Sequence, residues 1–211
     1  MIQSELTDLK NMNSQISTKI NYFVKNRLIE ALGILLIITS FFLLASVASH
    51  SPSDPNFIYT PDNVVIKNFG GFYGSVISDF FLQSIGIMSF FFIVNLFYWG
   101  LKLISNKKII NFIPKIFFTL IYIVFGTTFI SIFYNESYWL IDNGNSGFIG
   151  QIIKENIYFL SSLYENYYIG IVFLLISIVF FILSLNLKIK EIFKILFFPF
   201  LIVGKIKNLF G

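Results

Sequence analysis

The chain has 211 residues, of which 56% are hydrophobic, 19% aromatic and only 12% charged, with a formal net charge of +4. Soluble domains carry roughly 25% charged residues, and this much apolar surface exceeds what a core of this size can bury, so a soluble domain is excluded; disorder, which needs low hydrophobicity, is excluded too. The absence of cysteine removes disulfide scaffolds and thiolate chemistry, leaving an all-α integral membrane protein.

Residues 1–27 are polar and read as an N-terminal tail. They are too long and too acidic for the leading region of a cleaved signal peptide, so the apolar run that follows is expected to remain as a signal anchor. That run, about 28–49, is the first of four stretches long enough to span a bilayer, which takes about 20 apolar residues as a helix. The others are about 80–101, 116–133 and 168–185. Each is too continuous for barrel strands, which alternate with period two, and only a helix satisfies its own backbone in lipid. A fifth apolar stretch, 192–203, is interrupted by Lys194 and Pro199. It is too short to span and fits an interfacial segment. The expected organisation is therefore a tail (1–27), a four-helix membrane domain (28–187), and an amphipathic tail or the start of a linker (188–211).

The charges orient these spans. Lys10, Lys19, Lys25 and Arg27 precede the first. Lys102, Lys107, Lys108 and Lys115 lie between the second and third, and Lys188, Lys190, Lys194, Lys205 and Lys207 follow the fourth. Thirteen of the fifteen basic residues thus sit on one side, which the positive-inside rule makes cytoplasmic. The loops 50–79 and 134–167 hold only Lys67 and Lys154 against Asp54, Asp62, Asp79, Glu136, Asp142, Glu155 and Glu165, and are expected outside. Basic residues at span ends are accounted for by anionic lipid headgroups; no nucleic-acid contact by this chain is expected.

The first outer loop opens with Ser51-Pro52-Ser53-Asp54-Pro55. Its prolines fix φ and disfavour helix before them, while Ser and Asp side chains bond nearby N–H groups: a sharp stop and a rigid turn. Then comes Asn68-Phe69-Gly70-Gly71-Phe72-Tyr73-Gly74-Ser75. A phosphate loop is excluded, since no Gly-Lys-Ser/Thr follows. Gly70, Gly74 and Ser78 share one helical face and form a ridge permitting close helix approach, so a helix start or re-entrant turn is expected here, leading into the second span past Asp79. The second outer loop repeats the device with Gly147-Phe148-Ile149-Gly150, followed by an amphipathic helix over 151–164. Residues expected to set loop geometry and contact partners are Pro52, Ser53, Asp54, Pro55, Gly70, Gly71, Gly74 and Asp79.

Catalytic chemistry finds no foothold. The lone histidine, His50, suits a polar cap at the outer end of the first span. Glu30, just inside that span, has Arg27 as a helical neighbour and suits an interfacial ion pair. Asn95 is the most polar mid-span residue and suits helix packing. Tyr98, Trp99 and Trp139 suit aromatic belts at the interfaces. No metal site, cofactor or nucleophile is expected. A small transporter or channel subunit would carry charged groups near the bilayer midplane; that class and a generic membrane scaffold are the alternatives.

The order Glu30-x-x-Gly33, Ser49-His50-Ser51-Pro52-Ser53-Asp54-Pro55, then Asn68-Phe69-Gly70-Gly71-x-x-Gly74-x-x-x-x-Asp79 resembles the N-terminal four-helix membrane region of the FtsK/SpoIIIE family of bacterial DNA translocases. The resemblance covers roughly 25–190. It implies a membrane anchor at the division septum, self-association as a hexamer, contact with divisome proteins, and coupling of cell division to chromosome segregation. The family's ATP-driven motor has no counterpart within these residues, so no enzymatic activity is expected of them. The chain is expected to be either part of a longer protein or a stand-alone anchor.

Overall fold

The computed structural model describes residues 2–60, 65–107, 112–137, 139–140, 142–156, 167–185, 187 and 191, with side chains from Gln15 onward. Among these residues the regular structure is helical: α1 (Ile2–Ala48), α2 (Gly71–Ile85), α3 (Met88–Asn106), α4 (Phe112–Phe133), α5 (Gly147–Asn156) and α6 (Tyr167–Leu185). Four of them, α1 (from Gln15), α3, α4 and α6, are long and apolar enough to cross a membrane. The amphipathic stretches expected beyond Asn156 and over 192–203 lie outside the described residues.

Two expectations change. The N-terminal tail is not separate from the first span: one unbroken helix runs from Ile2 to Ala48, with no Gly or Pro before Gly33 to interrupt it. The expected span 80–101 is also crossed by a break. Helix α2 ends at Gly86, whose φ of 55° is left-handed, and α3 begins at Met88 after a turn closed by Ser89 N–H to the Gly86 carbonyl. The hydrophobic run is continuous through this point, so hydropathy conceals it. An isolated glycine inside an apolar helical pattern is the signal that betrays such a stop.

The spans pack as two antiparallel pairs, α1 with α3 and α4 with α6. In the first pair the backbones meet at Gly33 and Gly100: a Cβ on either would fall 2.8 or 2.7 Å from the other's carbonyl oxygen. At the basic end of this contact, Glu30 pairs with Arg27 and, at 2.8 Å, with Lys107. The Arg27–Glu30 pair expected from spacing thus forms, with Lys107 as a third member.

The pairs are joined by buried polar groups. Asn95 of α3 donates to Thr119 Oγ1 of α4 at 2.9 Å and to Ser184 Oγ of α6 at 2.9 Å, and is fully buried. Trp99 donates from Nε1 to the Ser184 carbonyl at 2.9 Å and is buried; it is a packing residue rather than the belt residue its position suggested. Apolar packing adds two clusters. Leu43, Val47, Leu82, Ile93 and Leu140 form one, and Ile85, Met88, Tyr122 and Ile123 the other. Between α3, α4 and α6 a crevice of about 200 Å³, lined by Met88, Phe91, Gly126 and Phe181, remains open.

The Gly33–Gly100 crossing gives the first prediction. Gly100→Leu forces α1 and α3 apart at a backbone contact. It is expected to cost about 1–3 kcal/mol, as overpacking does, read as a lowered midpoint of thermal unfolding in detergent.

Candidate functional site

The functional candidates gather at the end of the bundle opposite Arg27, Glu30 and Lys107, where α1 stops and the two long connections meet. The stop is local chemistry. The residue before Pro52 is steered away from helix, and the last turn of α1 closes with Ser49 donating from both N–H and Oγ to the Ala45 carbonyl.

The chain then wraps into a cap built on Asp54, only 3% exposed. Its carboxylate accepts the Lys67 N–H at 3.0 Å and the Asn68 N–H at 2.8 Å, fastening the start of the loop to its end thirteen residues on. Asn68 passes the connection onward. Its amide donates to the Ser46 carbonyl of α1 at 2.8 Å and to Ser78 Oγ of α2 at 3.2 Å. Its Oδ1 accepts the Gly70 N–H at 2.9 Å, turning the chain into α2. Phe69 N–H donates to Ser49 Oγ, and Ser75 Oγ donates to the Pro55 carbonyl at 2.6 Å.

The sequence-selected residues therefore divide. Asp54, Pro55, Gly70, Gly74 and Ser78 come together beneath the cap. Asp54, Pro55, Gly74 and Ser78 are buried, whereas Pro52 and Ser53 are exposed. A Cβ on Gly74 would sit 2.9 Å from Ser46 Oγ and overlap Asn68 Oδ1. The small-residue ridge thus serves an approach between α1 and α2 of one chain. Gly71 has a φ of 62° and open space around it, so its role is conformational. The cap turns outward a set of large apolar side chains: Phe57, Ile58, Phe69 and Tyr73 are between 75% and 96% exposed.

Asp79 lies off this hub, in a cleft of about 390 Å³ that it shares with the polar Asn56, Gln83, Asp142 and Asn143 and the apolar Phe57, Ile58 and Phe80. Burial pushes its carboxyl above the ordinary carboxylate range, against the lowering influence of His50 and of the Gln83 and Asn56 side chains. His50 is half-buried under Trp139, with ring centroids 6.3 Å apart. Its Nδ1 is 3.3 Å from Ser78 Oγ. Burial pulls the imidazole below its ordinary value, while the Asp79 and Asp54 carboxylates oppose this.

Sequence reasoning missed the second half of the site. The break at Gly86 is filled by the other outer loop: Ile87 N–H donates to the Asn145 carbonyl at 2.9 Å. A Cβ on Gly147 would fall 2.6 Å from the Gly86 nitrogen. Asn145 is itself tied by its side-chain amide to the Tyr134 and Glu136 carbonyls, and Ser146 N–H is held by Asn135 Oδ1. The Asn143-Gly144-Asn145-Ser146-Gly147 run was a turn signal, but nothing in it named Gly86 as its target. Chemically the assembly is a rigid, polar-cored cap with an apolar outer face. Among the described residues no group of three or more acidic or histidine side chains is placed to hold a metal.

Residues 25–196 match the family model described as the 4TM region of DNA translocase FtsK/SpoIIIE. The chain belongs to this family. No solved structure matches it. The FtsK/SpoIIIE four-span region is the membrane part of its family, not the motor. It is a multi-pass membrane protein.

Two predictions concern the cap of this FtsK/SpoIIIE region. Asp54→Ala leaves the Lys67 and Asn68 N–H groups without an acceptor, and an unsatisfied buried donor costs about 1–3 kcal/mol. Faster proteolysis of the 51–70 loop is expected, and Gly74→Leu, which displaces Asn68, should act alike. The second concerns pH. A histidine held below its unfolded value of 6.5 supports the fold fully above that value, and the support is lost as pH falls through it. The cap should therefore be cut faster at about pH 5.5 than at about pH 7.5, with the difference reduced in His50→Gln.

Proposed function

We propose that this chain anchors an FtsK/SpoIIIE translocase in the bacterial inner membrane at the division septum, self-associates there, and offers its outer cap to divisome proteins, so that chromosome movement is coupled to cell division. Both termini face the cytoplasm and the cap faces outward. The basic residues at the Arg27–Lys107 end support that orientation through the positive-inside rule.

The observation that carries the partner reading is the cap itself. A buried Asp54–Asn68 hub holds Phe69 and its neighbours rigidly outside the bundle. Aromatic side chains preorganised on a fixed backbone are the anchors that protein interfaces use. Lipid contact by the outward faces of the spans accounts for the remaining exposed apolar residues.

A fluorescent fusion of the chain is expected to concentrate at midcell in dividing cells. The Phe69→Ser/Tyr73→Ser pair should reduce that enrichment without reducing membrane insertion. An even membrane signal from the unmutated fusion sinks the septal reading. Orientation is read separately: because the chain has no cysteine, a single Ser53→Cys should be labelled from outside intact spheroplasts by a membrane-impermeant maleimide, and Lys107→Cys should not.

A further inference from the structure

Helix α3 is 19 residues long, about 28 Å at 1.5 Å per residue, and Lys107 at its end lies beside Glu30. Met88, at its start, therefore lies in the cap-side half of a hydrocarbon core about 30 Å thick. The crevice of about 200 Å³ between α3, α4 and α6 opens there, walled by Met88, Phe91, Phe129 and Phe181. The one hydroxyl among its lining residues is committed: Ser177 Oγ donates to the Tyr122 carbonyl at 2.9 Å. The bilayer interior holds no water, and an empty crevice forfeits the contacts of its lining. A dry apolar cavity of about 150 Å³ takes benzene, so a run of acyl-chain methylenes fits this one.

The wall continues into a second cavity. The Phe129 ring meets those of Phe133 and Tyr134, with centroids 5.5 and 5.7 Å away. Both line a pocket of about 440 Å³ at the cap end of α4 that mixes apolar walls with polar and charged groups. Ile130 lines the crevice and Ser131 the pocket. Two of the pocket's lining residues carry buried oxygens with no hydrogen-bond partner among the described residues, Ser131 at Oγ and Asn145 at Oδ1. Ser131 is fully buried. The Asn145 side-chain nitrogen is committed to the Tyr134 and Glu136 carbonyls, so its unpaired atom is the oxygen. Buried polar atoms in a native fold have partners as a rule, and a bound molecule supplies them here. Charge of both signs stands close by: Lys154 Nζ donates to the Ser131 carbonyl at 3.3 Å, and Glu136 lines the same pocket.

We propose that crevice and pocket are one binding site, and that it takes a glycerophospholipid whose headgroup joins a phosphate to a primary ammonium. One acyl chain lies in the crevice. The phosphate oxygens accept from the Lys154 ammonium and Ser131 Oγ, charge-assisted bonds of the stronger kind. The headgroup ammonium donates to Asn145 Oδ1 and faces the Glu136 carboxylate. The pocket offers a donor beside a cation and an acceptor beside an anion, and a zwitterion with N–H groups satisfies all four. A choline headgroup has no N–H to give Asn145. A glycerol headgroup brings no cation for Glu136. The proposal goes beyond the anchor reading and rests only on the membrane placement of the chain, not on the septum.

Native mass spectrometry of the purified, delipidated full chain tests it, with phosphatidylethanolamine, phosphatidylcholine and phosphatidylglycerol of the same acyl chains as probes. The ethanolamine lipid is expected to be retained several-fold more than either of the others. Equal retention of all three marks ordinary bilayer contact and overturns the proposal. Preference for phosphatidylglycerol marks attraction of anions to Lys154 alone, and preference for phosphatidylcholine an N–H-independent site; each overturns it too. Ser131→Ala in the pocket and Leu174→Trp in the crevice wall should each cut the retention several-fold, with Ile178→Trp as a second crevice filler should the first not fold. Retention unchanged by a folded filler shows that the two cavities are not one site. In lipid-free detergent, Ser131→Ala should leave the thermal midpoint unchanged or raise it, because the hydroxyl it removes is buried and unpaired. A lowered midpoint marks a merely structural hydroxyl and counts against the site. Glycerophosphoethanolamine, which has no acyl chains, should fail to displace the lipid; displacement at equal concentration removes the crevice from the site.

Discussion

A helix that stops inside an apolar run must find partners for its freed backbone groups, because lipid offers none. The chain stops at Gly86, between α2 and α3, and the consequence organises the outer half of the molecule. The Asn145 carbonyl reaches the Ile87 N–H from a loop nearly sixty residues away. Two glycines in left-handed conformations, Gly86 and Gly147, let the two backbones approach within contact of each other. A side chain at either would hold the loops apart and leave the Ile87 N–H bare. The second outer loop is thus the closure of the first half's broken helix, and the two halves of the protein cannot be laid out independently.

The same logic explains where polarity is spent. Within the membrane the hydrophobic effect does not draw helices together, so association relies on close backbone approach and hydrogen bonds. The α1–α3 pair uses the first at Gly33 and Gly100. The junction between the pairs uses the second at Asn95, Thr119, Ser184 and Trp99. At the cap, where water competes, a carboxylate does what an amide does at mid-span. Asp54 accepts two backbone N–H groups, a charge-assisted arrangement stronger than a neutral one. Each polar group placed this way fixes a relation between elements distant in sequence.

How much of this was legible beforehand follows from the physics of each feature. The presence of four spans, the stop of α1 ahead of Pro52 and the Arg27–Glu30 pair are local matters of hydropathy, proline stereochemistry and helical spacing, and the chain reads them out directly. The turn at Asp54 was legible as a turn. That its carboxylate faces inward to Lys67 and Asn68 was not, since an Asp in a Pro-Ser-Asp-Pro turn is equally content in water. Gly70, Gly74 and Ser78 announced a close helix approach, but not that α1 of the same chain makes it. Gly86 was hidden because hydropathy sums over a window and does not register one backbone torsion. Trp99 was misplaced for a related reason: proximity to an interface predicts a belt residue unless a buried acceptor, here the Ser184 carbonyl, turns its N–H inward.

Helix α1 shows the same limit in another form. Its buried face through the membrane and its apolar face beyond it lie on different sides of the helix. A hydropathy window averages across that shift and returns one long helix, apolar at one end and polar at the other. The shift falls at Arg27–Glu30, where α3 comes to its end at Asn106 and Lys107 adopts a left-handed turn. A helix losing its neighbour at this point has no reason to keep the same face apolar. At 100° per residue the apolar residues Ile16, Ile20 and Phe23 instead face about 140° away from the buried face, while the Glu30 carboxylate, held by two cations, pins the rotation of α1 against α3. Because the helix is continuous, that clamp also fixes the direction in which Ile16, Ile20 and Phe23 point. The part of α1 beyond the bundle is therefore aimed by it, and the two ends of the molecule, one polar-cored cap and one directed helix, are set by a single rigid element between them.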